Sequence, residues 1–166
     1  MKAVYAGSFS PPTLGHLDVI RRASALFDTV VVAAMGQSEK QYRFTAQQRL
    51  DMLRAVTARF DNVEVVVDGG LLVDLVRRVH ADVIVRGVRG AEDLAFEMQL
   101  AWGNRQLGQV ETVFLPCSPE YSMISSTIVR DCAVHGAPLR GMVPDEIADT
   151  VVQVMTNGAA HGKEGQ

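Results

Sequence analysis

The sequence predicts an α/β fold: a single doubly wound, Rossmann-like domain with a five-stranded parallel sheet, followed by C-terminal helices. Three observations lead there. Five short runs rich in β-branched residues are spaced along the chain. Several of them lack the polar alternation of a half-exposed strand, as strands covered on both faces do. Segments of helical period separate the runs, and strand–helix–strand repetition requires right-handed crossovers. At 166 residues, with 48% hydrophobic and 21% charged content, the chain can bury one core and is too apolar for disorder over most of its length.

The elements follow in order. The first strand reads as Lys2–Ala6, and the next segment carries Leu17, Ile20 and Phe27 at helical spacing, with Ser24 the weak member of the stripe. The second strand is Thr29–Met35. Thr45-Ala46-Gln47-Gln48 has capping-box form and opens a helix with Leu50, Leu53, Val56 and Phe60. Strands at Val63–Val67, Asp82–Arg86 and Val110–Leu115 alternate with helical stretches at Leu71–Val79 and Glu92–Leu107. Two further helices are expected, about Ser126–His135 and Pro144–Met155, with Pro144 at a first helical position and Asp145 and Glu146 favoured by the dipole. The domain then covers residues 1–156, and the small, polar, Gly-rich stretch 157–166 reads as a flexible tail.

Composition excludes several classes. A net charge of -3 argues against a nucleic-acid partner held by bulk electrostatics. Cys117 and Cys132 are too few for a disulfide framework or a thiolate metal site, and His80, His135 and His161 lack partners at metal spacing. Nothing resembles a signal peptide, and no apolar run approaches the roughly 18 residues of a membrane helix. The expectation is a cytoplasmic protein that keeps no membrane partner.

Ligands of doubly wound sheets bind at the carboxyl ends of the strands, so the chemistry is sought there. The first strand runs into Gly7-Ser8-Phe9-Ser10-Pro11-Pro12-Thr13-Leu14-Gly15-His16. Gly7 permits close backbone approach, and Gly15 removes a side chain beside His16. An imidazole at a helix N-terminus can donate to a phosphate oxygen whose charge grows in a transition state. A lone Gly-His pair would be turn punctuation beside a surface histidine; this one follows a first strand and a Gly-Ser-Phe turn. The loop is neither a Walker A motif nor a dinucleotide fingerprint.

The fourth strand ends in Arg86-Gly87-Val88-Arg89-Gly90, two arginines of a type suited to phosphate, although solvated loop arginines would look the same. Lys40 lies in the loop after the second strand and draws its interest from that location. After the fifth strand, Tyr121-Ser122-Met123-Ile124-Ser125-Ser126-Thr127 leads hydroxyls into a helix start. One serine would be an N-cap; three consecutive hydroxyls suggest an anion site as well.

Together these motifs resemble the bacterial phosphopantetheine adenylyltransferases, of the nucleotidyltransferase superfamily with the (H/T)-x-G-H signature. The resemblance runs from Lys2 to about Val154; Gly7–His16 carries the superfamily, and Arg86–Arg105, including Phe96-Glu97-Met98-Gln99-Leu100-Ala101, carries the family. It implies that ATP and 4′-phosphopantetheine give dephospho-coenzyme A and pyrophosphate, with Mg²⁺ assisting and bound mainly through nucleotide phosphates rather than protein ligands. By position it assigns transition-state stabilisation to His16 and catalytic support to Ser8, Lys40 and Arg89. It assigns ATP to Ser8, Phe9, His16, Gly87, Val88, Arg89, Glu97 and Tyr121, Ser122, Met123, Ile124, Ser125, Ser126 and Thr127. It assigns phosphopantetheine to Ser8, Lys40, Leu72 and Arg86. It further implies in-line attack without a covalent enzyme intermediate, a homohexamer, and coenzyme A as a feedback inhibitor. Ser10, Pro12, Ala95 and Thr127 depart from the family pattern without removing a required group.

The nearest rival is nicotinate-nucleotide adenylyltransferase, whose later motif is similar to Ser125-Ser126-Thr127-Ile128-Val129-Arg130. The short chain and Arg86–Arg105 favour the first reading. A non-catalytic nucleotide-binding module on the same scaffold is disfavoured by the presence of His16, Lys40 and both arginines. Trp102 reads as a packing residue, within the chain or between subunits, and Met35, Met52 and Met98 read as gap-filling apolar residues.

Overall fold

A computed structural model describes residues 1–36 and 43–160. Five strands, β1 (Lys2–Gly7), β2 (Thr29–Met35), β3 (Val63–Asp68), β4 (Val83–Val88) and β5 (Glu111–Pro116), form one sheet in the order β3-β2-β1-β4-β5. Every pairing is parallel. The helices are α1 (Leu14–Leu26), α2 (Ala46–Thr57), α3 (Leu72–Arg78), α4 (Ala91–Gly108), α5 (Ser126–Val134) and α6 (Asp145–Ala160). The expected doubly wound α/β sheet is present.

Alternation along β1 sets the two sides of the sheet. Ala3 and Tyr5 pack with Val19, Ile20, Ala23 and Leu53 from α1 and α2. Val4 and Ala6 pack instead with Val73, Leu75 and Val76 of α3. A third apolar cluster, with Val129, Ala133, Ile147 and Val151, joins α5 and α6 to Met52 and Val56 of α2. β1 pairs with β2 on one side and β4 on the other, so the chain reverses its winding between β1 and β4. There the two strand ends diverge and leave a crevice.

Gly87, at the end of β4, makes close packing possible. A Cβ there would lie 2.8 Å from Val19 Cγ2, so α1 rests directly on the β4 backbone. Thr45 caps α2 as its sequence requires: Gln48 N–H donates to Thr45 Oγ1 at 3.2 Å, and Thr45 N–H donates to Gln48 Oε1 at 2.8 Å.

Three expectations need correction. Pro144 precedes α6 rather than occupying its first position; its carbonyl accepts from Ile147 N–H at 3.2 Å, as an N-cap carbonyl does. Residues 157–160 are not tail but the end of α6, because a helix already held by Ile147, Val151 and Met155 gains a hydrogen bond for each residue added; residues 161–166 lie outside the described residues. Met98 fills no gap. It is exposed on α4, whose only buried residue is Glu97, and Phe96, Leu100, Trp102 and Leu107 are exposed with it.

Candidate active site

The crevice between the ends of β1 and β4 is the mouth of a cavity of about 480 Å³. Of the residues singled out from sequence, Ser8, His16, Arg86, Gly87, Arg89, Glu97 and Ile124 through Thr127 line it. Segments distant in the chain thus supply one site.

His16 is the third residue of α1 and closes a capping box with Thr13. The peptide N–H of Thr13 donates to His16 Nδ1 at 2.9 Å, and the N–H of His16 donates to Thr13 Oγ1 at 3.3 Å. Because Nδ1 accepts from a peptide, the proton of the neutral ring sits on Nε2. Burial, reinforced by the charges of Arg89 and Arg86, lowers the imidazole pKa to about 4. His16 is therefore a neutral Nε2–H donor at the head of a helix at physiological pH. The Phe9 ring packs edge-on against it, with centroids 5.0 Å apart.

The loop between β1 and α1 is held from two sides. Buried Arg49 of α2 donates from Nη1 to the carbonyls of Ser8 at 2.8 Å and Met35 at 2.9 Å, tying the ends of β1 and β2 together. From α5, Ser126 Oγ donates to the Pro11 carbonyl at 2.8 Å and Arg130 Nη1 to the Ser10 carbonyl at 2.6 Å. Phe9 takes a left-handed φ of 45° and buries its ring completely. Gly7 makes room for that ring, which would lie 3.2 Å from a Cβ added there. Space does not demand a glycine at 15, where a Cβ would meet its nearest neighbours at an ordinary 3.6 Å.

Arg86, near the end of β4, and Arg89, just after it, are both held by carboxylates of α4. Arg86 donates from Nε to Glu97 Oε2 at 2.6 Å and from Nη2 to Glu97 Oε1 at 2.5 Å, while its Nη1 reaches the Ala6 carbonyl. Burial works against the Arg86 charge, but the Glu97 hydrogen bonds outweigh it and raise its pKa. Arg89 pairs with Asp93 at 3.3 Å, and its own N–H donates to Asp93 Oδ2 at 3.0 Å.

The hydroxyls before α5 have separate duties. Ser125 caps the helix by accepting from Ile128 N–H at 3.2 Å, Ser126 reaches Pro11, and Thr127 accepts from Arg130 Nη2 at 3.1 Å. Asp18 of α1 fastens the opposite side. It is buried, and accepts from Ser118 Oγ at 2.8 Å, Arg21 Nη2 at 2.8 Å and Arg22 Nη1 at 3.4 Å. Burial opposes its ionisation, but these hydrogen bonds prevail and hold the carboxyl below its ordinary range. Arg22 also donates to the Pro116 carbonyl at 2.5 Å. Neighbouring Cys117 lines the cavity as a thiol whose pKa is pushed up by burial, which disfavours it as a nucleophile.

Other residues singled out from sequence stand outside the cavity lining. Leu72 opens α3 and packs against the core; Val88 accepts from Cys117 N–H at 2.7 Å through its carbonyl. Tyr121 ends a short 3-10 turn, Pro119–Tyr121, that Ser122 closes, and Met123 projects into solvent. Lys40 lies outside the described residues. Thr13, Asp18, Arg43, Asp93 and Arg130 were not singled out for the site. Thr13 was legible as a cap three residues before His16, and Arg130 as one turn beyond Ser126; nothing local marks Arg43.

The wall thus combines Arg43, Arg86, Arg89 and Arg130 with two helix heads. It suits a polyanion and holds no activated nucleophile among its described residues. Among the described residues, no three His, Cys, Asp or Glu side chains are grouped to hold a metal, and no helix is long and apolar enough to cross a membrane.

Comparison with known proteins agrees with this geometry. The cytidylyltransferase-like family model matches residues 4–132. A protein of Symbiobacterium thermophilum named phosphopantetheine adenylyltransferase is 48% identical over 87% of this chain and 90% of its own length. One of the same name from Clostridium perfringens is 40% identical over 96% of this chain and 98% of its own. A solved structure titled as a putative nicotinate-nucleotide adenylyltransferase from Vibrio parahaemolyticus shares the fold, with a TM-score of 0.63 and 17% identity, over 91% of this chain and 97% of that one.

Proposed function

The chain belongs to the cytidylyltransferase-like family and to its phosphopantetheine adenylyltransferases, and from that premise we propose that it transfers the adenylyl group of ATP to 4′-phosphopantetheine, releasing pyrophosphate and dephospho-coenzyme A. The observation that carries the reading is the neutral His16 donor at the head of α1, facing the β1–β4 crevice among four arginines.

In this reading the phosphate of phosphopantetheine attacks the α-phosphorus of ATP in line. The bond to the β,γ-diphosphate breaks as the new P–O bond forms, and pyrophosphate leaves with the electron pair. No enzyme nucleophile is required, so catalysis is positioning and charge stabilisation. His16 donates from Nε2 to an α-phosphate oxygen, where negative charge grows. Its low pKa suits that duty: a neutral donor keeps its proton throughout, and a hydrogen bond to growing charge strengthens as the transition state is reached. Ser8 stands between both substrates. Ser125, Ser126 and Thr127 with Arg89 face the nucleotide phosphates, and Arg86, with Lys40 and Leu72, serves the acceptor. Mg²⁺ would be held mainly by the phosphates of ATP rather than by protein side chains, and would supply charge neutralisation on the pyrophosphate.

A cytoplasmic setting belongs to the same reading and is supported by the free thiols Cys117 and Cys132. So does self-association, with a hexamer as the expected size: Phe96, Leu100, Trp102 and Leu107 are large apolar side chains left exposed on α4, and sedimentation velocity would test it. Coenzyme A, which shares the pantetheine arm, is the expected feedback inhibitor. The decisive assay measures pyrophosphate release from ATP with phosphopantetheine and nicotinate mononucleotide offered in parallel. Release with phosphopantetheine is expected; release with nicotinate mononucleotide alone would reassign the acceptor.

A further inference from the structure

Among the described residues the cavity wall holds four arginines, and three of them are engaged. Arg86 pairs with Glu97, Arg89 pairs with Asp93, and Arg130 donates to the Ser10 carbonyl and the Thr127 hydroxyl. Arg43 differs. It lines the cavity from an exposed position, and no hydrogen bond or ion pair among the described residues holds its guanidinium. Its backbone is anchored from behind. Phe44, the next residue, is completely buried in the cluster that joins Leu17 of α1 and Met52 of α2 to Val129 in the first turn of α5. Arg43 is therefore presented beside the head of α5. There it faces a second cation: burial first, and then the charge of Arg43, push the pKa of Arg130 down. The carboxylates that the described wall contains, Asp93 and Glu97, are paired with Arg89 and Arg86 at the end of β4. An anion beside Arg43 and Arg130 would relieve their repulsion, and the α5 dipole favours it at the same place.

We propose that Arg43, beside Arg130 at the head of α5, binds the β,γ-diphosphate of ATP and keeps hold of it as the leaving pyrophosphate. The idea rests on the adenylyl-transfer reading given above, in which His16 serves the α-phosphate and Ser125, Ser126 and Thr127 face the nucleotide phosphates. The two phosphates beyond the first then lie against α5 and its flanking arginines. They carry most of the nucleotide's charge, and gain more as pyrophosphate departs with the electron pair. A guanidinium, planar and with five N–H groups, suits such a group. Arg130 keeps donors on Ser10 and Thr127, whereas Arg43 has all of its own to offer among the described residues. Its exposed position also lets the side chain follow the diphosphate as it moves away from the α-phosphorus.

The test compares wild type, Arg43→Lys and Arg43→Ala. Calorimetry measures the affinity for pyrophosphate, ATP and AMP, each alone, and steady-state kinetics gives the KM for phosphopantetheine. Arg43 is exposed, so the variants should fold, and melting curves check that each does. For Arg43→Ala, the Kd for pyrophosphate and for ATP is expected to rise roughly fivefold or more, while AMP affinity and the acceptor KM stay within about twofold. Arg43→Lys keeps the charge and should recover part of the loss. Added salt should weaken pyrophosphate binding less steeply in Arg43→Ala than in wild type. Unchanged pyrophosphate affinity, equal losses for AMP and pyrophosphate, or a raised acceptor KM with ATP affinity intact would overturn the proposal while leaving the enzyme's function standing. Wild-type protein that releases no pyrophosphate from ATP with either phosphopantetheine or nicotinate mononucleotide would instead overturn the functional reading, and this assignment with it.

Discussion

Replacing Gly87 by alanine tests whether contact between α1 and β4 places the catalytic imidazole. The added Cβ would sit 2.8 Å from Val19 Cγ2, well short of the ~3.5–4.0 Å at which carbon atoms rest. Val19 cannot simply swing aside, since it is β-branched, buried, and packed in the first core cluster. The helix must therefore shift by several tenths of an ångström. Overpacking of this kind costs about 1–3 kcal/mol, which for a chain of this size lowers Tm by roughly 3–10 °C. Val19 lies one turn from His16 on the same helix, so the shift reaches the imidazole, and turnover should fall roughly tenfold or more. Thermal melting and pyrophosphate release read the two effects. Val19→Ala removes Cγ2 and opens a cavity, so alone it destabilises. Combined with Gly87→Ala it should restore part of the lost stability and turnover. Wild-type Tm and turnover in Gly87→Ala, or strictly additive losses in the double variant, would refute the idea that this contact positions His16.

Two further predictions follow from the site. The pKa of His16 is lowered from 6.5 to about 4, so its neutral form persists in the folded protein as pH falls. Turnover should then show no loss attributable to His16 near pH 6.5, and ¹⁵N NMR should report a neutral, Nε2-protonated ring at pH 6. The unfolded chain takes up the proton first, so the stability tied to the neutral ring is complete above about pH 6.5 and drains away as pH falls toward 4. An ordinary histidine titration in the folded state would contradict both. Asp18→Asn should weaken the tie between α1 and the segment around Pro116 and Ser118, lowering Tm by a few degrees and raising the KM for ATP several-fold; unchanged values for both would dismiss that tie.

Much of this architecture was legible in the residues themselves. Buried parallel strands are apolar on both faces, so Thr29–Met35 could be bounded from its composition, and Thr45 and Gln48 announced the start of α2. The length of α6 was not legible, because Asn157 and Gly158 are poor helix formers, and the helix that runs through them is anchored by tertiary packing further back. Within the site, the glycines and His16 marked the first loop, and the arginines marked the fourth strand end. The pairing of Arg86 with Glu97 joins a strand end to a helix eleven residues later, and no local spacing rule encodes that contact. The tie from Asp18 to Ser118 spans 100 residues and depends on α1 lying beside β5. The ring of Phe9 packs behind His16, and its left-handed backbone is a feature that its side-chain type does not announce.

The central claim is that a neutral His16 stabilises charge only as the α-phosphate reacts. The most direct measurement is the kcat of His16→Ala beside its affinity for ATP. Loss of one such donor should lower kcat about 10²–10³-fold while ATP affinity stays within a few-fold. An unchanged kcat, or a collapse of ATP affinity with kcat preserved, would contradict it.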